Sequence, residues 1–200
     1  MKTYAKTCAE LPENYRELFA IDLKKDKKLF MKVNGLALAI LAVLVVIGLF
    51  LSPIGVFVDW LFDMEQGFLP YMLRFVGILA AIALYMVLHE AVHGVCMKHF
   101  SGVKPHYGFN LSYAYAGSSA YFNKKHYLII ALAPVVVWGV VLAVINCMVP
   151  EEMFWFVYLI QITNLSGAAG DIYVTQRFLK LPDDILVNDT GFTMTVYGKA

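Results

Sequence analysis

Residues 88–94 read Leu-His-Glu-Ala-Val-His-Gly and lie in the second half of an apolar run over residues 71–97. The pattern is H-E-x-x-H. Because residues four apart on an α-helix lie one above the other, His89 and His93 can point the same way and hold one divalent metal ion. Glu90 then lies beside them, where it can take a proton from water. Membrane helices contain few ionisable side chains unless these function or pair, so the cluster is the first candidate for a site.

The composition is that of a membrane protein. Hydrophobic residues make up 60% of the 200 residues and charged residues only 16%, whereas soluble domains carry about 25% charged residues. The mean hydropathy is +0.66. A net charge of +1 argues against a nucleic-acid partner. Cys8, Cys96 and Cys147 lack C-x-x-C spacing, so no disulfide framework or thiolate zinc site is expected.

Apolar runs long enough to cross a bilayer predict an all-α membrane protein with about four transmembrane helices. The runs cover residues 34–58, 71–97, 126–149 and 153–179. We expect a basic N-terminal segment over residues 1–33, a transmembrane domain over 34–180 and a tail over 181–200.

The loops between these runs differ in charge. The segment over residues 98–125 carries four lysines, whereas the loop over residues 59–70 carries acids and no Lys or Arg. The positive-inside rule therefore predicts that both termini and residues 98–125 are cytoplasmic. We expect a multi-pass protein of the plasma membrane, with the lipid bilayer as a partner.

Three shorter segments have patterns of their own. Tyr15, Leu18, Phe19 and Leu23 recur at near-helical spacing, which indicates either an amphipathic helix on the membrane surface or a solvated basic tail.

Between the second and third runs, aromatic residues alternate over 107–115 with the period of a β-strand, and 116–118 read as a turn before a second strand over 119–123. This predicts a short β-hairpin-like loop, with a plain interfacial loop as the alternative. In the tail, a turn at 188–191 predicts a small hairpin.

Asp171 is the only acid in the fourth run. It lies about 18 residues from the start of that run, as His89 does in the second run, so both are expected at similar depth. Residues 166–170 are all small, which lets two membrane helices approach closely. Asp171 is therefore either a third metal ligand or a carboxylate at the interface. Asn164, two turns earlier, can bond substrate or join helices.

His99 is a rival ligand. It follows His93 by six residues, as in the pattern H-E-x-x-H-x-x-G-x-x-H, but Cys96 occupies the position of the required glycine. On an unbroken helix His99 points about 240° away from His93, which favours Asp171. Cys96 can face the metal or pack in the core.

An H-E-x-x-H motif inside a membrane helix, then a strand-like segment and a later helix with an Asp after a glycine, resembles the site-2-protease group of intramembrane zinc metalloproteases. The chain looks most similar to the small membrane proteins grouped as putative zincin peptidases, over about residues 71–190. The resemblance implies Zn²⁺ bound by His89, His93 and Asp171, with Glu90 as the general base. Ile172 departs from the glycine that follows the Asp in site-2-protease signatures.

The expected function is zinc-dependent hydrolysis of a peptide bond in a membrane-associated protein substrate, within or next to the membrane. The alternative is a non-proteolytic membrane metal-binding protein, a transporter or a regulator. A hydrolase of soluble substrates is a third reading. Glu90 distinguishes a hydrolase from a transporter or regulator, because a transport site has no need for a glutamate directly after its first ligand.

Overall fold

The computed structural model describes residues 5–22, 25–110 and 113–200, and most of these residues are helical. The helices are α1 Lys27–Leu51, α2 Ile54–Phe62, α3 Phe68–Ser101, α4 Lys124–Met148, α5 Glu151–Gly167 and α6 Ala169–Leu179. The strands are β1 Tyr15–Ile21, β2 His106–Asn110, β3 Tyr113–Gly117, β4 Tyr121–Asn123, β5 Leu186–Asp189 and β6 Met194–Lys199. The fold is therefore mostly helical with a small β component, not all-α.

Three helices, α1, α3 and α4, are long and apolar enough to cross a membrane, judged by length and composition within the described residues. In the most apolar windows of α1 and α3 only 6% is buried by protein, so large apolar faces remain for lipid. This is consistent with a membrane protein.

The prediction of four continuous spans is not confirmed. The first predicted run divides at Pro53, which precedes α2, because proline cannot donate the backbone bond that would continue α1. The fourth predicted run divides into α5 and α6. Gly167 ends α5, and Ala168 adopts φ −80° and ψ 15° as its C-cap. Glycine lowers helix stability by about 1 kcal/mol relative to alanine, which favours a break at this position.

The chain forms two compact units. The first comprises Met1–Asn34, His89–Pro134 and Gly170–Ala200, and the second comprises Gly35–Leu88 and Val135–Ala169. The second unit is helical within its described residues. Its largest apolar cluster contains the buried side chains of Phe57, Leu61, Trp155, Tyr158 and Ile162.

The first unit contains a four-stranded antiparallel sheet in the order β1-β6-β5-β4. Its core includes Phe122, Phe178, Val187 and Val196, which are all fully buried. Residues 1–33 and the tail 181–200, which the sequence analysis separates from the transmembrane domain, contribute strands to this common sheet.

The predicted N-terminal amphipathic helix is wrong for the described residues of that segment. Residues 15–21 form β1, which pairs with β6 from Tyr15 opposite Lys199 to Ile21 opposite Met194. Pairing with β6 satisfies the backbone hydrogen bonds of this segment, and no local spacing reveals a partner that distant. Leu23 lies outside the described residues.

The predicted hairpin between the second and third spans is present, but its strands differ from the prediction. Strands β2 and β3 pair antiparallel, with Tyr107 opposite Ala116, so the first two strands both lie before Ser118. Leu111 lies outside the described residues. Strand β4 pairs instead with β5 of the tail, and the predicted tail hairpin is confirmed as β5 and β6.

Candidate metal centre

His89 and His93 lie one turn apart on α3, and Asp171 lies in the first turn of α6. The Asp171 carboxylate oxygens lie 3.7 Å from Nε2 of His89 and 3.7 Å from Nε2 of His93. One potential ligand atom from each residue lies within 4.8 Å of the other two. Both imidazoles are buried. The three residues belong to the first unit.

The spacing fits a metal ion. With Zn–N and Zn–O bonds of about 2.0–2.2 Å, neighbouring ligand atoms of a tetrahedral site lie about 3.4 Å apart. Each imidazole lies 3.7 Å from a different oxygen of Asp171, and one ligand atom from each residue lies within 4.8 Å of the others, so a movement of the side chains would bring all three atoms to that spacing. Two imidazoles and one carboxylate are a ligand set that zinc takes in catalytic sites. These residues can therefore hold a divalent metal ion.

The backbone of α4 orients one of the imidazoles. Nδ1 of His93 lies 2.9 Å from the carbonyl oxygen of Ile130. A carbonyl only accepts hydrogen bonds, so Nδ1 carries the proton in this contact. Nε2 then presents its lone pair towards Asp171, which is the tautomer that a metal ligand needs.

Glu90 follows the first histidine and is half-buried. Its carboxylate accepts a hydrogen bond from the backbone N–H of Ala116, on β3, and interacts electrostatically with His89, His93 and Asp171. The hairpin thus holds the side chain of Glu90 beside the three potential ligands.

Gly94 brings the hairpin against α3. A Cβ atom at this position would overlap the hydroxyl of Tyr107, on β2. The missing side chain therefore lets Tyr107 contact the helix one residue after His93. No spacing in the sequence indicates this contact of Gly94.

Tyr127 and Asp189 form a buried pair that the sequence analysis missed. The hydroxyl of Tyr127, on α4, donates to Oδ2 of Asp189 at 2.6 Å, and the N–H of Gly191 donates to Oδ1 at 2.8 Å. Burial raises the pKa of the Asp189 carboxyl, whereas these two hydrogen bonds lower it. The sequence indicated only a turn here, and nothing local showed that its first acid is buried.

Asn164 is fully buried, and its contacts join helices. The hydroxyl of Tyr85 donates to its Oδ1 at 2.8 Å, and its Nδ2 donates to the carbonyl of Val135 at 3.2 Å. These bonds link α5 to α3 and α4 within the second unit. Both contacts are with protein, so they support helix joining. A role in substrate binding stays a prediction.

The rival ligands do not join the cluster. Within the described residues, the group that can hold a metal consists of His89, His93 and Asp171. His99 is exposed and contacts the ring of Phe100. Cys96 is half-buried and packs against the core of the first unit. The unbroken helix through residue 99 explains why His99 points elsewhere.

Comparison with known proteins places these residues in one family. The family described as putative zincin peptidase matches residues 82–186, just over half of the chain. The matched segment includes the H-E-x-x-H motif and Asp171. No curated protein and no solved structure matches the chain significantly. The chain therefore belongs to the putative zincin peptidase family.

Proposed function

We propose that this protein is a zinc-dependent peptidase that hydrolyses a peptide bond of a membrane-associated protein, within or next to the membrane. The observation that carries this proposal is the convergence of two buried imidazoles and a carboxylate, with Glu90 beside them. Membership of the family supports metallopeptidase chemistry. The three apolar helices support a location in the membrane.

His89, His93 and Asp171 would hold the ion through three protein ligands, which leaves a position for water or substrate. A bound zinc ion supplies Lewis acidity, which lowers the pKa of water and polarises the scissile carbonyl. Glu90 takes the proton of the attacking water and then delivers it to the leaving amine. The Ala116 N–H keeps the Glu90 carboxylate in place for both transfers.

A transmembrane helix has no free peptide carbonyl for attack, so the substrate must be extended at the site. The hairpin of β2 and β3 offers a strand edge that an extended peptide can join. Tyr107 and Phe109 on β2 are 55% and 70% exposed. Such aromatic side chains suit a membrane interface and the apolar side chains of a membrane-derived peptide.

The experiment compares the parent with Glu90→Gln, using a panel of single-span proteins in liposomes. Glutamine keeps the size of the side chain but cannot accept the proton, and general acid–base catalysis contributes about 10²–10⁴-fold. We expect Glu90→Gln to bind zinc like the parent and to cleave at least about a hundredfold more slowly. Glu151→Gln, at an exposed position in the first turn of α5, is the matched control.

Two outcomes would contradict the proposal. Parental turnover by Glu90→Gln would exclude the mechanism. A zinc-loaded parent that cleaves no member of the panel would favour a metal-binding transporter or regulator, which needs the three ligands but not the general base.

We also propose that the protein lies in the plasma membrane and, from the distribution of lysines, that both of its termini are cytoplasmic. After replacement of the three native cysteines, Ser119→Cys and Gln66→Cys introduce thiols at exposed positions. An impermeant thiol reagent should label Gln66→Cys from outside and Ser119→Cys only from the cytoplasmic side. Labelling of both from the same side would overturn this topology.

A further inference from the structure

Pro134 lies inside α4, four residues after Ile130, and is fully buried. A proline has no backbone N–H, and inside a helix its ring also crowds the carbonyl four residues earlier. Such a proline costs a helix about 3 kcal/mol relative to alanine. The carbonyl of Ile130 therefore has no donor from the regular i to i+4 pattern of its own helix.

His93 supplies a donor to this carbonyl. Its Nδ1 lies 2.9 Å from the carbonyl oxygen, and both residues are buried. A buried carbonyl without a donor costs about 1–3 kcal/mol, so the contact stabilises α4 and the imidazole together. The same bond fixes the proton on Nδ1 and leaves Nε2, 3.7 Å from Asp171, as the metal-facing atom.

We propose that Pro134 is a positioning residue of the metal centre: because it lacks an N–H, the Ile130 carbonyl is left free to fix the tautomer and ring orientation of His93. The inference rests on the metal-binding part of the proposed function. Any other amino acid at position 134 brings an N–H to the same carbonyl. His93 would then share this acceptor with the N–H of residue 134.

The first turns of α4 are anchored independently of Pro134. The Tyr127 hydroxyl bonds the Asp189 carboxylate at 2.6 Å, and the Lys124 ammonium lies 2.9 Å from the Asp183 carboxylate. Tyr127 is one turn before Ile130. A substitution at 134 is therefore expected to change the bonding of the Ile130 carbonyl without displacing the start of the helix.

The test uses the full chain with Pro134→Ala. Three quantities are measured: the Zn²⁺ dissociation constant by competition with a chromophoric chelator, the Co²⁺ absorption spectrum, and thermal unfolding of the metal-free protein. Loss of a group that orients a metal ligand typically costs about 10–100-fold in metal affinity. We expect the Zn²⁺ dissociation constant to rise about tenfold or more and the Co²⁺ bands to shift.

The metal-free protein distinguishes positioning from a structural role. Alanine adds a helix hydrogen bond, so the metal-free Pro134→Ala variant is expected to unfold at the same or a higher temperature. A proline with only a structural role would change stability and leave the zinc affinity and the Co²⁺ spectrum unaltered. Pro150→Ala, at the N-cap of α5, is the matched control and should bind Zn²⁺ like the parent.

A second variant separates the missing N–H from the shape of the ring. Pro134→lactate, introduced as an α-hydroxy acid, has the side chain of alanine but an ester oxygen in place of the N–H. It should bind Zn²⁺ like the parent; if it loses affinity as Pro134→Ala does, the missing N–H is not the cause and the inference fails. Parental Zn²⁺ affinity and Co²⁺ bands in Pro134→Ala would overturn the inference alone, whereas a parent that binds no Zn²⁺ would overturn the proposed function with it.

Discussion

Two groups of polar side chains on helices differ in how their atoms are bonded. In the second unit, Asn164 accepts a hydrogen bond from Tyr85 and donates one to the carbonyl of Val135. In the first unit, His89, His93 and Asp171 direct potential ligand atoms towards one another at 3.7 Å. In the first case donors meet acceptors. In the second case, three groups that can each coordinate one cation converge.

The difference distinguishes a cluster that joins helices from one that can bind a cation. Around Asn164, complementary groups satisfy one another, as buried polar groups in proteins usually do. At the candidate metal centre, His93 donates its Nδ1 proton to Ile130, so its Nε2 and the Asp171 carboxylate face each other with a place for a cation between them, either a proton or a metal ion. Whether a polar residue in an apolar helix joins helices or can bind a metal ion can therefore be judged only when its bonding partners are known.

The largest expected effect is the loss of metal. The parent should bind about one zinc ion, and His89→Ala or Asp171→Ala should reduce the content to near zero, because two ligands remain where zinc takes three or four from protein. Metal analysis of purified protein measures this. Asn164→Ala, from the other cluster, should keep the parental content. Full metal in Asp171→Ala together with loss in His99→Ala would reverse the ligand assignment.

Metal removal should also separate the two clusters through stability. A ligand at about one hundred times its dissociation constant stabilises the folded state by about 2.7 kcal/mol. Chelation should therefore lower the thermal unfolding temperature of the parent and of Asn164→Ala by similar amounts. Asp171→Ala should show no such shift. An equal response of all three proteins would mean that the chelator acts elsewhere.

For the pair of Asn164 and Tyr85, which joins helices, we expect a smaller effect, and one on stability alone. Asn164→Ala removes the acceptor of the buried Tyr85 hydroxyl, which costs about 1–3 kcal/mol, and Tyr85→Phe should cost about 1 kcal/mol. Denaturant unfolding of both single variants and the double variant measures the coupling, expected at about 0.5 kcal/mol or more for residues in contact. Additive effects, or reduced zinc binding in Tyr85→Phe, would contradict a purely structural pair.

The smallest expected effect concerns Gly94. In Gly94→Ala the new methyl group displaces the Tyr107 hydroxyl, and the half-exposed ring can turn towards solvent. Alanine favours the helix by about 0.5–1 kcal/mol, so the free energy of unfolding should change by less than about 1 kcal/mol. Zinc content should be parental. A loss of several kcal/mol would show instead that β2 is held rigidly against the helix that carries the histidines.

How much of the fold and of the candidate site could be predicted depended on how far apart the interacting residues lie in the sequence. The apolar runs predicted the helices, yet the break at Ala168 and strand β1 escaped prediction. Local spacing left a helix or a solvated tail open for residues 15–21, whereas pairing with β6 makes this segment a strand. The strand period over 107–115 predicted a hairpin but not its register, because the partner of β4 is in the tail.

The H-E-x-x-H spacing by itself determined that His89 and His93 share one face of a helix, since four residues make about one turn. The composition determined an apolar and mostly helical chain. Only the tertiary structure decided which groups meet the two histidines and Glu90. It brings Asp171 to both imidazoles, Ala116 to Glu90 and the Ile130 carbonyl to His93. These contacts join residues far apart in the chain, and packing of the whole unit, not local propensity, determines whether they form.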